Sequence, residues 1–379
     1  MQKYGVLVVD DSSFMRRCIS LIIEKDPQLF IIGIARNGIE AIEKVQRLKP
    51  DIVTMDVEMP EMDGMTALKE IMRVCPVPVI VLSNQTDKDP ETTFQALELG
   101  AADFYLKNAL LEENVKPEII REFLDRLKAI AQKARKCGKK EIKQKTDSEK
   151  VSEILDNILS KSEDLIKTKT GAADLLIIGC STGGPSALQS ILPRFPKDTH
   201  VPIVVLQHMP PGFTKPLAER FDAICNLRVK EAEDGDIVEA GNIYIAPAGY
   251  QTFFDKKANG VIALRVKDCP SVKTLYKPSI NVTLDSAAPI YRERLLSVIL
   301  TGMGNDGLVG CETVKKYNGK VIVEAEETCV VYGMPKVVYE AGLADIQVPL
   351  SDIFHEIMLC IGNKYVLGIN NRNCNTTEL

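Results

Sequence analysis

Two α/β domains in tandem are what this sequence of 379 residues predicts. The first is a doubly wound (βα)5 unit, the second an α/β unit whose mostly parallel sheet carries an antiparallel hairpin excursion. Three observations lead there. Short β-branched runs alternate with stretches of helical apolar period, the pattern of parallel strands joined by crossover helices. The alternation breaks off into a lysine-rich stretch and restarts near Asp174. With 45% apolar and 26% charged residues each half can bury a core, and the length exceeds what one core usually serves.

In the first unit, expected over residues 1–125, the runs Gly5–Val9, Leu29–Ala35, Asp51–Met55, Val77–Leu82 and Ala102–Leu106 read as buried strands. Met15, Cys18, Ile19 and Ile22 share one helical face between the first two, and Ile39, Ile42, Val45 and Leu48 share another. Lys133, Arg135, Lys136, Lys139, Lys140, Lys143 and Lys145 then crowd together, so 126–170 reads as a charged, solvated, partly helical linker. In the second unit, 171–366, strands are expected at Leu175–Gly179, Val201–Leu206, Leu295–Thr301 and Val321–Val323. Asn242–Ala246 looks different, as does the pair Thr252–Asp255 and Val261–Val266, between which Asn259-Gly260 favours a hairpin turn. Residues 367–379 form a polar, Asn-rich tail.

A net charge of −5 argues against a nucleic-acid-binding surface. The ten cysteines include no CxxC pair and read as reduced thiols. Met1-Gln2-Lys3-Tyr4-Gly5 leads straight into a strand, and no apolar run approaches the ~20 residues that span a bilayer. A cytoplasmic protein, not inserted in a membrane, is expected.

Asp10 and Asp11 follow the first strand, Asp56 the third, Ser83 the fourth and Lys107 the fifth. In a doubly wound sheet, neighbouring strand ends open on one crevice. Three carboxylates there call for a hard divalent cation such as Mg2+. A hydroxyl and an ammonium beside them suit a phosphoryl group carried on a carboxylate. A lone strand-end Asp is usually a cap or turn residue, as Asp11 before Ser12-Ser13 could be; five such groups at strand ends are far more specific. Over residues 4–125 the chain resembles response-regulator receivers, through Val8-Val9-Asp10-Asp11-Ser12, Asp56–Gly64, Val81-Leu82-Ser83 and Gly100–Lys107. The resemblance implies that Asp56 accepts phosphate from a sensor histidine kinase and that Asp10, Asp11 and Asp56 hold Mg2+. Ser83 and Lys107 would read the phosphoryl state. Asn84 and Asn108 depart from the family's small residue and proline, which bears on phosphate lifetime and switching geometry.

Leu175–Pro185 runs strand, Gly-flanked turn, helix start, a context that lifts Ser181 to the top of a sheet with helix N–H groups behind it. The same Gly179–Gly184 segment could instead be a phosphate or nucleotide loop. Serine chemistry needs a general base, and the chain has three histidines. His200 precedes a strand and His355 lies in a surface-helix pattern, whereas His208 ends the strand through Gln207, on the serine's rim. A carboxylate must take the imidazole's other proton. Asp306, in the strand–turn–helix of Ser297–Gly307, fits that need, though its ordinary role would be to cap the helix. Asp234 and Asp236 read as turn residues and Asp285 as helical. Cys180 is the poorer nucleophile, because its side chain should point away from that of its neighbour Ser181.

With Gln207–Thr214, Tyr244–Gly249, Tyr276–Asn281 and Tyr332–Pro335, these segments resemble the catalytic domain of chemotaxis protein-glutamate methylesterases over residues 172–362. The resemblance implies a phosphorylation-activated hydrolase that removes γ-methyl esters from glutamyl residues of methyl-accepting chemoreceptors. It would release methanol through a Ser181–His208–Asp306 triad and serve adaptation in bacterial chemotaxis, with glutamine deamidation as a possible second activity. Thr182, Gly183 and Met303 are the oxyanion candidates, and the esterase chemistry requires no cofactor. The fusion predicts an unphosphorylated receiver that partly covers the catalytic rim. One rival, a nucleotide-binding second domain, would want an acidic residue where Gln207-His208 stands. Another, a degenerate esterase acting as a phosphorylation-dependent interaction module, is opposed by the intact serine, histidine and aspartate. Asn281 and Cys180 depart from the family's usual Asp and Ala.

Overall fold

The computed structural model describes residues 2–84, 89–111, 116–141, 172–271 and 274–362, in two compact units, Met1–Gly171 and Ala172–Leu379. No described helix is long and apolar enough to cross a membrane.

In the first unit, β1 (Tyr4–Val9), β2 (Leu29–Ala35), β3 (Ile52–Asp56), β4 (Val79–Ser83) and β5 (Asp103–Leu106) form a parallel sheet in the order β2-β1-β3-β4-β5. Val6–Val9 are fully buried, so β1 reads as a continuous apolar run rather than an alternating one, because helices cover both faces. Three of those helices, α1 (Ser13–Ile23), α2 (Gly38–Leu48) and α3 (Gly64–Val74), start on side-chain caps from Ser12, Asn37 and Asp63. α4 (Asp89–Glu98), α5 (Lys107–Leu111) and α6 (Pro117–Glu141) follow.

Three expectations shift here. The third strand ends on Asp56 itself, while Asp51 lies before it and uses its carboxylate to accept Gly5 N–H at 2.7 Å and to pair with Arg135. Ile39 is 50% exposed, because α2 turns Gly38, Ala41 and Val45 inward. The contact at Gly38 is so close that a Cβ there would stand 2.6 Å from Met62 Cγ. Residues 126–141 belong to α6, which buries Leu127, Ile130 and Ala131. Residues 142–171, where the remainder of the expected linker falls, and the tail 367–379 lie outside the described residues.

The second unit is built on seven parallel strands: β6 (Leu175–Cys180), β7 (Ile203–Gln207), β8 (Arg228–Glu231), β9 (Asn242–Ile245), β12 (Leu295–Ile299), β13 (Lys320–Glu324) and β14 (Ile346–Val348). Their order is β14-β13-β12-β6-β7-β9-β8. Asn242–Ile245, expected to differ, joins this parallel sheet beside β7. The hairpin of β10 (Gln251–Lys256) and β11 (Ile262–Lys267) is a separate two-stranded antiparallel sheet. In its turn only Gly260 has a positive φ, +85°, and Asn259 instead accepts Val261 N–H on its side chain. Helices α7 (Gly184–Ile191), α8 (Thr214–Ile224), α9 (Ile280–Tyr291), α10 (Leu308–Lys316), α11 (Met334–Glu340) and α12 (Leu350–Cys360) complete the unit. α9 buries Ile280, Leu284 and Ala287 against Ile177, Leu206 and Ile299 of the sheet. Gly179 admits Ile280 to within 2.6 Å of where a Cβ would stand, so α9 begins directly beside the end of β6.

Candidate functional site

Each unit gathers polar side chains at its strand ends. In the first, adjacent strands β1 and β3 deliver Asp10 and Asp56 to one crevice. Asp10 is fully buried, Asp56 nearly so and Asp11 exposed, and one oxygen from each lies within 4.8 Å of the others. Lys107 Nζ, at the start of α5, reaches Asp56 Oδ1 at 2.6 Å and Asp10 Oδ2 at 3.0 Å. Burial pushes the Asp56 carboxyl up to about 6; Lys107 pulls it down and the charge of Asp10 adds to the rise. One ammonium facing three converging carboxylates leaves negative charge over, and this oxygen-only donor set fits Mg2+. Ser83 is buried at the end of β4, where its hydroxyl donates to Asn84 O at 3.3 Å and accepts from Thr93 Oγ1 at 3.4 Å. Asn108 lies in the first turn of α5. Gly64 is needed for close approach, since a Cβ there would stand 2.0 Å from the Asp56 carbonyl oxygen.

In the second unit β6 lies between β12 and β7, so residues just past these three strands face one rim. Ser181 follows β6 and is 4% exposed; its N–H donates to Thr301 O at 3.0 Å. His208 follows β7, and its N–H donates to Cys180 O at 3.0 Å. His208 Nε2 stands 2.9 Å from Asp306 Oδ2. Asp306 accepts three further hydrogen bonds, from Ser279 Oγ (2.9 Å), Ile280 N–H (2.7 Å) and Asn281 N–H (3.1 Å). Burial alone would raise this carboxyl, but His208 and the two backbone N–H groups outweigh it and hold Asp306 below the usual carboxylate range. An ionised Asp306 requires a donor at Nε2, which makes Nδ1 the accepting nitrogen of the neutral ring. Nδ1 is buried and has no hydrogen-bond partner among the described residues, so no bond joins it to Ser181 Oγ here.

The oxyanion candidates flank the serine. Gly183, at φ +77°, turns the chain into α7, and the backbone N–H groups of Thr182, Gly183 and Met303 donate to no acceptor among the described residues. Thr182 Oγ1 is likewise buried without a partner. The nucleotide-loop alternative for Gly179–Gly184 wants an acidic residue at the end of β7, where Gln207 instead donates to Ser181 O and His208 O. A Cβ at Gly183 would stand 2.5 Å from Val330 Cγ2, and one at Gly184 2.0 Å from Gln207 Oε1, so neither position has room for a side chain. The Cys180 thiol is buried at 3.0 Å from Gln207 Oε1; burial first, then the charge of Glu324, pushes it up. That suits packing, not attack. Asp234 pairs with Arg265 and Asp236 with Lys230, while Asp285 accepts Thr313 Oγ1–H, all away from His208.

Four residues enter the site that motif reading gave no role. Gln207 Nε2 donates to both Ser181 O (3.0 Å) and His208 O (2.8 Å), clamping the two strand ends. Its signal was present: an amide closing an apolar strand must find partners once buried. Ser279 and Gln251 hold the approach to α9, with Gln251 accepting Ser279 N–H at 2.9 Å and donating to Tyr276 O at 2.8 Å. The Tyr276 ring stacks on the His208 imidazole, centroids 4.4 Å apart and planes 8° from parallel. Tyr276 and Ser279 lie in the Tyr276–Asn281 run that carries the family resemblance, but nothing local gives these three their roles.

Known proteins match along almost the whole chain. The model of the family described as CheB methylesterase matches residues 176–357, and that of the response regulator receiver domain matches 6–116. A Desulfitobacterium hafniense protein named protein-glutamate methylesterase/protein-glutamine glutaminase is 40% identical over 381 residues, 94% of this chain and 97% of its own. A Thermotoga maritima protein of the same name is 42% identical over 348 residues, 91% of this chain and 94% of its own. The crystal structure of the Thermotoga maritima CheB methylesterase catalytic domain is 46% identical and covers 50% of this chain and 99% of its own, with a TM-score of 0.48.

Proposed function

Because this chain belongs to the CheB methylesterase family, with a response regulator receiver domain ahead of the esterase domain, we propose that it hydrolyses glutamate γ-methyl esters on methyl-accepting chemoreceptors with Ser181, His208 and Asp306 as its triad. The observation that carries this reading is the His208–Asp306 pair: Nε2 committed to a buried carboxylate at 2.9 Å, Nδ1 unpartnered, and the serine next to it across β6 and β7.

Ser181 Oγ attacks the ester carbonyl as its proton passes to His208 Nδ1, and Asp306 stabilises the imidazolium through Nε2. The reading requires Ser181 Oγ to turn onto Nδ1 when substrate arrives; such pairs often tighten only in the complex. N–H groups of Thr182, Gly183 and Met303 receive the oxyanion, a donor of this kind being worth ~3 kcal/mol. His208 returns the proton to the departing methoxide and methanol leaves. Water, deprotonated by the same nitrogen, cleaves the acyl-serine to the free carboxylate. A side-chain amide would follow the same path with ammonia leaving, which matches the glutaminase half of the relatives' name.

The receiver supplies control. Asp56 accepts phosphate from a sensor histidine kinase, Ser83 and Lys107 answer the phosphoryl group, and the added charge raises esterase activity. Asp10, Asp11 and Asp56 would hold Mg2+, which supplies positive charge to the transferring phosphoryl group.

Methanol release from methylated chemoreceptor membranes tests the esterase reading. Wild-type chain is expected to release methanol and Ser181→Ala is not. Equal release by both would remove Ser181 from the chemistry. No release by wild type, even with a small phosphodonor, would favour an interaction module.

A further inference from the structure

We propose that Tyr276 is a positioning residue of the esterase reaction, a flat shelf that keeps the His208 imidazole aligned between Asp306 and Ser181. The proposal rests on the triad reading above and deepens it. Nε2 is the single ring nitrogen of His208 with a hydrogen bond among the described residues. One hydrogen bond fixes a point and leaves the ring free to swing about it. Tyr276 removes that freedom by lying parallel to the imidazole, 4.4 Å away and 8° off.

The surrounding chain holds the shelf at both ends. Gln251 Nε2 donates to the Tyr276 carbonyl at 2.8 Å, and Gly249 N–H donates to the next carbonyl, that of Lys277, at 3.0 Å. At the far end the phenol hydroxyl lies against Gly304, where a Cβ would stand 2.5 Å from it. One side chain therefore touches the base and the glycine turn that carries Met303. When His208 takes the serine proton, the imidazolium stands over an electron-rich ring face, an attraction much weaker for the neutral imidazole. The shelf thus favours the transition state over the ground state, and its effect belongs in kcat.

Kinetics of the full chain on methylated chemoreceptor membranes test this. Tyr276→Leu is expected to lower kcat roughly tenfold with KM unchanged, while Tyr276→Phe and Tyr276→Trp, which keep a ring face, stay within about threefold of wild type. A loss in Tyr276→Phe as large as in Tyr276→Leu would overturn the proposal, since the hydroxyl would then be what matters. So would a change confined to KM, which would make Tyr276 a substrate contact. If Tyr276→Leu loses its far-UV CD signal, the two aromatic variants decide alone: the shelf stands if both keep kcat and falls if Tyr276→Phe drops beyond about tenfold. The rate of Ser181 labelling by a fluorophosphonate should follow the same order with no chemoreceptor present. Ordered labelling without methanol release would sink the methylesterase reading and leave the shelf. Equal labelling in all variants, with methanol still released, would sink the shelf and leave the esterase.

Discussion

Under the proposed function Asp56 meets two opposing demands, because the buried carboxylate that would accept a phosphoryl group also burdens the fold. Burial lifts it to about 6, with Lys107 acting against the rise and Asp10 adding to it. A carboxyl that titrates higher folded than unfolded supports the fold when protonated. That contribution is complete below the unfolded value near 4 and is lost as pH rises through about 6. Asp56→Asn is therefore expected to stabilise the receiver at pH 8 without divalent cation by on the order of 2 kcal/mol, seen as a higher unfolding temperature. The gap should close near pH 4, and adding Mg2+ should narrow it by stabilising the wild type. Scanning calorimetry of both proteins at the two pH values checks this, and equal transitions at pH 8 would refute it. Asp306 is the converse case: four donors keep it ionised in a place as dry as that of Asp56.

At the scale of elements, the rim that carries the proposed triad depends on turns that leave no room for a side chain. Gly302 follows β12, and a Cβ there would stand 2.8 Å from Ser181 Cβ and 2.5 Å from Met334 Sδ. Gly302→Ala is expected to push Ser181, the proposed nucleophile, aside and lower kcat by about a hundredfold, the scale of a misplacement near 1 Å. Fluorophosphonate labelling beside a thermal melt would separate displacement from unfolding. The same scale explains how far the sequence could be read. Strand ends carrying Asp10, Asp56, Ser83, Lys107, Ser181 and His208 were legible because β-branched runs stop sharply at turn residues. β8 and β14, of four and three residues, were not, being edge strands too short to show a pattern. Asn242–Ile245 has the composition of either strand type, and only its position beside β7 makes it parallel. The roles of Gln251 and Tyr276 escaped notice because they lie in contacts 25 to 28 residues away or, for the stacked ring, on His208. No window of local sequence holds that information.

For the whole molecule, the proposed function couples the receiver to the esterase through one covalent event, phosphorylation of Asp56. A small phosphodonor with Mg2+ is expected to raise methanol release by the full chain roughly tenfold, within the usual range of coupling between sites. Asp56→Asn should keep basal release and lose the response; a response that survived in that variant would place the acceptor elsewhere. The strand order has a further consequence, for biogenesis. β6 is the first strand of its sheet to be made, yet it ends between β7 and β12, and the carboxylate that orients His208 lies 98 residues beyond it. A nascent chain emerging from the ribosome holds the serine and the histidine long before Gly302 and Asp306 exist. Until Asp306 is made the proposed triad is incomplete, and the edge of β6 that β12 will cover is still open.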